Sequence, residues 1–457
     1  MSLPKEALLT LKKILKDRLL TRADEIEAYS YDSSQLIFKP SAVALPETKE
    51  EILKILELAD KYEFYVISRG SGTATTGSAL STLGGLVISY TKMNRILELN
   101  QEERIVRVQP GVLNGELKKY VKKFGLFYPP DPASYAFSTI GGNVATGAGG
   151  PKGLKYGTTK DYVLALEVAL PGGKLFKTGP YTLKGVVPYN FTHLFVGSEG
   201  TLGIFVEIVL KLLPLPKKRC LYLIFFSQED TAIDLLNELL IEGLTPSAAE
   251  FVDKTSLIVC EDKIGSLKAE ANVGYKVESL LFLEIDGKLA EVIEDGRFIE
   301  TLLRNKKIPY VKREQEEEIE ILFEIRRNIS PLLKKLAPQK ISDDIVVPRR
   351  KIKEFLGFIR DLEKNYELYI SVFGHIGDGN FHVNILYEKE EEALEVRELI
   401  LRKVIELMGT ISGEHGVGYL KRSYVRWELD PLQIELMKKI KKVFDPKGLF
   451  NPQIKLP

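Results

Sequence analysis

Cysteine is nearly absent from this chain. Only Cys220 and Cys260 occur in 457 residues, too few for an iron–sulfur cluster, which takes four thiolates, and too isolated for a disulfide framework. If electrons leave through iron–sulfur centres, another polypeptide carries them. An excess of one charge is equally missing: 64 Lys and Arg balance 63 Asp and Glu, a formal net charge of +1. No long-range field therefore draws the chain to nucleic acid or to an anionic membrane, and runs such as Glu314–Glu318 and Lys438–Lys442 suit solvated helix faces. Nothing approaches the roughly 18 consecutive apolar residues of a membrane span; the nearest run lies around Ile204–Leu213. Met1–Leu20 is rich in Lys and Leu but lacks the long apolar core of an export signal. The expected location is the cytoplasm, with at most peripheral contact at the inner face of the membrane.

Histidine is scarce too, and its distribution is informative. Of four in the chain, His375 and His382 flank a Gly-Asp-Gly-Asn turn within Val372–Asn384, and His415 follows Ser412-Gly413-Glu414. Alternating apolar residues on both sides of the turn predict a β-hairpin. The two imidazoles would face each other across it and could share one metal ion, with Glu414 or His415 completing the site. Two imidazoles and one carboxylate with open positions suit a catalytic divalent metal, since a structural site is closed by four protein ligands.

At this length two or three domains are expected. Residues 4–31 read as amphipathic helix, and Pro46–Tyr62 begins with a capped, acidic helix start. Strands are expected at Phe64–Ser68, Leu86–Ser89, Ile105–Val108, Val163–Leu170 and Leu202–Leu213, with helices packed on a mixed sheet. Pro214 and Pro216, followed by Lys217-Lys-Arg219, mark the clearest boundary. Beyond it a second region continues to about residue 400 and holds a long charged helix, Glu314–Leu336, then Ile341–Val347 and the histidine hairpin.

Three glycine-rich loops fall in the first region. Arg69–Gly77 follows a strand directly, Ser138–Gly150 carries five glycines in thirteen positions, and Val196–Gly203 precedes a strand. Glycine permits sharp turns and close approach of the backbone to a ligand, and successive N–H groups can hold a pyrophosphate. Arg69–Gly77 is neither a dinucleotide fingerprint opening a helix nor a Walker loop. Three such loops together point to a long ligand lying across the chain, a dinucleotide being the natural candidate.

Taken in order, Arg69–Gly77, Pro129–Gly150, Leu154–Gly157, His193–Gly203, Gly374–Asn384, Ser412–Gly418 and Phe450–Pro452 resemble the FAD-linked oxidases of the vanillyl-alcohol-oxidase type. Within them they resemble the branch holding D-lactate dehydrogenase, the glycolate oxidase flavoprotein subunit and D-2-hydroxyglutarate dehydrogenase. The resemblance runs from about residue 35 to the C-terminus. It implies an α+β fold: a two-part FAD-binding domain of the PCMH (vanillyl-alcohol-oxidase) type with an α+β cap domain over the flavin. The expected divisions are a helical segment at 1–35, the FAD domain at 36–215, the cap at 216–405 and a returning C-terminal segment at 406–457.

Carried over by position, the resemblance has Arg69, Gly70, Ser71, Gly72 and Thr73 wrap the FAD pyrophosphate. Ser138, Thr139, Gly141, Gly142, Asn143 and Gly147 would line the cofactor, Glu199, Gly203 and Ile204 would support its adenosine side and ribityl chain, and Asn451 would join them from the C-terminal segment. Thr73 stands where covalent-flavin relatives commonly have histidine, which implies non-covalent FAD. The metal ligands become His375, His382 and Glu414, with zinc the expected ion and manganese or iron also fitting the set. His415 becomes the catalytic base, Arg326 the carboxylate anchor, and Ser330, Lys340 and Asn384 further substrate contacts. Gly147, Pro188 and Phe323 depart from the family's usual asparagine, glycine and tryptophan.

The implied reaction is oxidation of a small D-2-hydroxy acid, D-lactate or glycolate, to the 2-oxo acid. Arg326 would anchor the carboxylate bidentately, the metal would polarise the hydroxyl, and the imidazole of His415 would take its proton. Glu414 and His415 could divide these tasks by projecting to opposite sides of extended backbone. Hydride would pass to flavin N5, and a quinone, a cytochrome, an electron-transfer flavoprotein or an iron–sulfur subunit would then accept the electrons. The rivals are the same chemistry on D-2-hydroxyglutarate, a flavoprotein subunit serving mainly assembly and electron relay, and a relative using flavin for non-redox transfer.

Overall fold

Between Leu215 and Pro216 the chain passes from one packing unit to another. The computed structural model describes residues 3–457. Residues up to Gly149, Thr158–Leu215 and Glu414–Pro457 make the first unit, and Gly150–Gly157 with Pro216–Gly413 make the second.

The first unit has two principal sheets. Leu19–Leu20, Ala42–Ala44, Leu86–Ser89 and Val66–Arg69 lie side by side in that order, the last three mutually parallel. Their core is mainly aliphatic, with Leu11, Leu15, Ile52, Ile55 and Leu56, and includes the aromatic Phe64 and Phe450. The second sheet is antiparallel, in the order Ile96–Asn100, Ile105–Val108, Ile204–Lys211, Val163–Leu170, Lys174–Lys177. Val163–Leu170 and Ile204–Lys211 are almost wholly buried, which explains their near-continuous apolar sequence. The expected helix over residues 4–31 is interrupted. It runs only over Lys5–Leu15, ends at Lys16 with φ 57°, and gives way to the strand Leu19–Leu20 and the short helix Ala23–Ile26. Pairing of Leu19 with Ala44 and Leu20 with Val43 overrides helix propensity there. The helix Lys49–Tyr62 is capped by Thr48, whose hydroxyl accepts from the Glu51 N–H at 3.3 Å.

The second unit is built on one seven-stranded antiparallel sheet. Its order is Tyr310–Arg313, Lys218–Phe226, Ser279–Gly287, Ala248–Asp253, Tyr369–His375, Asn380–Tyr387, Gln339–Val346. Phe225, Phe226, Phe251, Phe282 and Phe381 are at most 1% exposed. Each buried side chain of this size contributes roughly 1.5–3 kcal/mol, so the apolar rows hold the sheet and the polar groups among them are left to function. The charged helix expected at Glu314–Leu336 is broken: Glu316–Arg327 ends at Asn328, followed by a short helix Ile329–Leu332 and a single tight turn. Pro331 lacks the N–H that a continuous helix would use.

Candidate functional site

Three glycine loops and one turn meet within the first unit. Gly70 lies so close to Thr139 that a Cβ would stand 2.3 Å from the threonine hydroxyl, and the Thr139 hydroxyl accepts from the Gly142 N–H at 3.1 Å, opening the short helix Ile140–Thr146. The second and third loops are tied by Gly197 N–H to Val144 C=O at 2.9 Å and by Glu199 N–H to Ala145 C=O at 2.8 Å. All three loops reach the turn Glu414–Gly418. Thr76 of the first loop accepts at its carbonyl from the Tyr419 N–H, 2.9 Å away, and its hydroxyl donates to the His415 carbonyl at 3.4 Å. Gly149 of the second lies against Glu414, since a Cβ built on it would stand 2.7 Å from Glu414 Oε2. Glu199 of the third accepts from the Val417 and Gly418 N–H groups at 2.9 and 2.7 Å.

Some expected cofactor contacts serve the chain itself. Arg69 is buried and donates to the Tyr31 carbonyl at 2.7 Å and to the Ala28 and Ala79 carbonyls at 3.4 and 3.5 Å. Its burial lowers the guanidinium pKa. The Arg69 side chain is thus engaged within the chain, while among the described residues no N–H of Ser71, Gly72 or Thr73 donates to another group of the chain, which leaves them open to a phosphate. Gly141 and Gly203 are glycines for packing, since a Cβ would lie 2.6 Å from Pro110 Cβ in the first case and 2.4 Å from Val168 Cγ1 in the second. Ile204 sits in the apolar core. Asn451 spans loops, donating to the Ser78 and Glu199 carbonyls at 2.9 and 2.5 Å. By contrast, Ser138 Oγ, Asn143 Nδ2 and Ser198 Oγ are buried without a hydrogen-bond partner in the protein. Buried polar atoms of this kind require one, so the second and third loops fit an elongated polar ligand such as FAD.

The second unit supplies the histidine hairpin. Its register pairs His375 with Asn380 and Phe373 with His382. The two imidazoles thus sit diagonally on one face instead of directly opposite, their centroids 5.3 Å apart and planes at 90°. Both can offer a nitrogen to one ion. Glu250, in the next strand opposite His375, was not among the residues expected at the site. One carboxylate oxygen accepts from His375 Nδ1 and the other pairs with Arg326 Nη2 at 2.7 Å. Burial pushes the Glu250 carboxyl upward, but His375 and Arg326 outweigh it and hold it below the usual range. A carboxylate in the otherwise apolar run Ala248–Val252 is the sequence signal that could have found it.

Arg326 is only 7% exposed and lies over the Phe373 ring at 4.5 Å, so it is no surface salt bridge. On the same sheet face the Asn384 carbonyl oxygen accepts from the Ser342 hydroxyl at 2.6 Å, and Lys340 donates to the Ser330 hydroxyl at 2.6 Å. Asp344 accepts from Asn380 at 2.6 Å and from the Gly413 N–H at 2.8 Å, fixing the backbone just before Glu414. Phe323 is buried against Phe282. The expectation for Glu414 and His415 needs correcting. The chain bends at Gly413–His415 and turns again at Gly416, with φ 80°, so the two side chains do not diverge as in a strand. Glu414 Oε1 is 3.7 Å from His415 Nε2.

Residues 40–179 match the FAD binding domain family and residues 215–454 match the C-terminal domain of FAD linked oxidases. The glycolate oxidase subunit GlcD of Bacillus subtilis (strain 168) is 39% identical over 431 residues, covering 93% of this chain and 91% of that one. D-lactate dehydrogenase of Anaerostipes hadrus is 33% identical over 452 residues, covering 96% and 95%. Among solved structures, p-cresol methylhydroxylase with substrate bound aligns with a TM-score of 0.75 at 15% identity, over 98% of this chain and 96% of that one, a likeness of fold alone. The chain belongs to the FAD-linked oxidase family. It is an FAD-dependent oxidoreductase with the two-domain PCMH-type fold. Among the described residues, no helix is long and apolar enough to cross a membrane.

Proposed function

We propose that this protein oxidises a small D-2-hydroxy acid, D-lactate or glycolate, to the corresponding 2-oxo acid. The observation that carries the proposal is the convergence of all three glycine loops on the turn bearing Glu414 and His415. A flavin-binding unit whose loops grip a histidine turn has a proton acceptor built into its cofactor cradle. The names of the relatives above, a glycolate oxidase subunit and a D-lactate dehydrogenase, agree with this substrate class.

Arg326, buried and held by Glu250, binds the substrate carboxylate, with Asn384 beside it. His375, His382 and Glu414 are the residues that would hold a divalent ion; imidazoles and a carboxylate are the donor chemistry that zinc, manganese or iron takes. Such an ion would supply a Lewis acid for the hydroxyl oxygen, easing loss of its proton. His415 receives that proton as general base. FAD, held without a covalent bond, would supply the acceptor for the hydride from C2. The substrate so loses one proton and one hydride, and the electrons go on to a quinone, a cytochrome or another polypeptide. The enzyme works in the cytoplasm or peripherally at the membrane's inner face.

Anaerobic addition of D- and L-hydroxy acids to the yellow protein tests this. D-lactate or glycolate should bleach the flavin, and His415→Asn should abolish bleaching while FAD stays bound. Bleaching by none of these acids, or full-rate bleaching of the variant, would sink the proposal. A second reading, oxidation of the dicarboxylate D-2-hydroxyglutarate, draws on the half-buried Lys340 beside Ser330 as a further cationic contact.

A further inference from the structure

We propose, resting on the 2-hydroxy-acid oxidation above, that Glu250 is a positioning residue that fixes both substrate anchors at once. By doing so it confines the enzyme to acids whose hydroxyl lies on the carbon next to the carboxylate. Glu250 is 1% exposed, in the middle of the sheet, and uses both oxygens: one accepts from His375 Nδ1, the other pairs with Arg326 Nη2 at 2.7 Å. An ionised carboxylate can only accept. Nδ1 of His375 is taken by this bond, so Nε2 is the nitrogen left to face a metal ion. The guanidinium is gripped on its other side by the Phe373 ring at 4.5 Å.

Two bonds ending on one immobile group make the separation of the anchors a fixed length. The hydroxyl must reach the histidine end while the carboxylate sits at the arginine end, so the number of carbons between them is read as distance. Each further carbon–carbon bond adds about 1.5 Å, and a misplacement of about 1 Å costs on the order of 100-fold in rate. A 3-hydroxy acid is thereby disfavoured without any steric block.

Glu250→Gln separates this role from simple structural support. An amide offers one acceptor and one donor. With its NH2 toward His375 it moves the imidazole hydrogen to Nε2, and with its NH2 toward Arg326 it sets donor against donor. One anchor is lost either way, though the shape is kept. The experiment uses the full-length FAD-loaded protein and three measurements: thermal melting, zinc affinity by titration of the metal-stripped protein, and kcat/KM for D-lactate relative to D-3-hydroxybutyrate. The expected result is zinc binding weaker by about 10–100-fold and a preference ratio reduced by about 10-fold or more, in a protein that still holds FAD. Unchanged zinc affinity together with an unchanged ratio overturns the role of Glu250. If the glutamine variant does not fold, Glu250→Asp, which keeps the charge and shortens the reach, carries the same ratio measurement, and an unaltered ratio again overturns it. Failure of the wild-type protein to be bleached by any 2-hydroxy acid is a different result and counts against the parent proposal.

Discussion

Lys340 donates to the Ser330 hydroxyl at 2.6 Å and to the Ser330 carbonyl at 2.8 Å. Burial, and next the nearby charge of Lys334, pulls its ammonium pKa down to about 8. Lys340 is thus a cation below that pH and becomes neutral as pH rises through it. If it grips a second carboxylate, KM for D-2-hydroxyglutarate should climb above about pH 8 while KM for D-lactate stays level, and Lys340→Met should flatten the profile. Steady-state kinetics from about pH 7 to about pH 9 decide this, and parallel profiles for both acids would remove Lys340 from the substrate site. Stability follows the same charge. The folded state disfavours the cation, so stability should increase between pH 8 and the ordinary lysine pKa of about 10.4.

Asp343 and Arg397 form a two-point ion pair at 2.7 and 3.0 Å, with relative exposures of 5% and 8%. Removing one partner of such a pair leaves a buried charge uncompensated and costs about 3–5 kcal/mol. Asp343→Ala should therefore lower the melting temperature of the second unit by several degrees. The double replacement Asp343→Leu with Arg397→Met should restore most of it. Scanning calorimetry makes the comparison, and a single variant as stable as wild type would refute the assignment.

The apolar strands and the hairpin were legible because period-two alternation and buried runs are local signals: Leu86–Ser89, Ile105–Val108 and Val163–Leu170 fall where the sequence places them. Glycine loops were legible as loops, but not in their division of labour. That Gly203 yields to Val168, or that the Arg69 side chain binds the Tyr31 carbonyl, depends on residues far off in the chain. The diagonal placement of His375 and His382 follows from a register set by the turn, and Glu250 joins them only through strand pairing. No spacing in the sequence encodes that contact. The Glu414–His415 turn escaped the expectation of extended backbone because it turns at Gly416, with φ 80°, and is held by bonds from Val417 and Gly418 to the distant Glu199.

Thr73 carries an aliphatic hydroxyl, a much weaker nucleophile at neutral pH than an imidazole nitrogen, and the FAD proposed above is held without a covalent bond. Acid or heat denaturation should release all the yellow colour into the supernatant, and the washed protein should show no flavin fluorescence on a denaturing gel. Flavin remaining with the polypeptide would mean a covalent bond at another side chain.

Glu199 is the clamp on the His415 turn. Its side chain is fully buried, it adopts φ 54°, and its carboxylate accepts from the Val417 and Gly418 N–H groups, with Lys455 Nζ at 3.4 Å. Glu199→Ala leaves the buried Gly418 N–H and the part-buried Val417 N–H without an acceptor, the buried one a loss of about 1–3 kcal/mol, and the turn should open locally well before the protein unfolds. Hydrogen exchange of peptides spanning residues 414–420 should quicken, while strands such as Ile204–Lys211 keep their protection. Because His415 sits on this turn, flavin reduction by substrate should slow even when FAD is saturating. Glu199→Gln, which retains one acceptor oxygen, should fall between wild type and alanine in both measurements. An alanine variant with normal exchange in the turn would show that the grip of Thr76 and Gly149 suffices without the carboxylate.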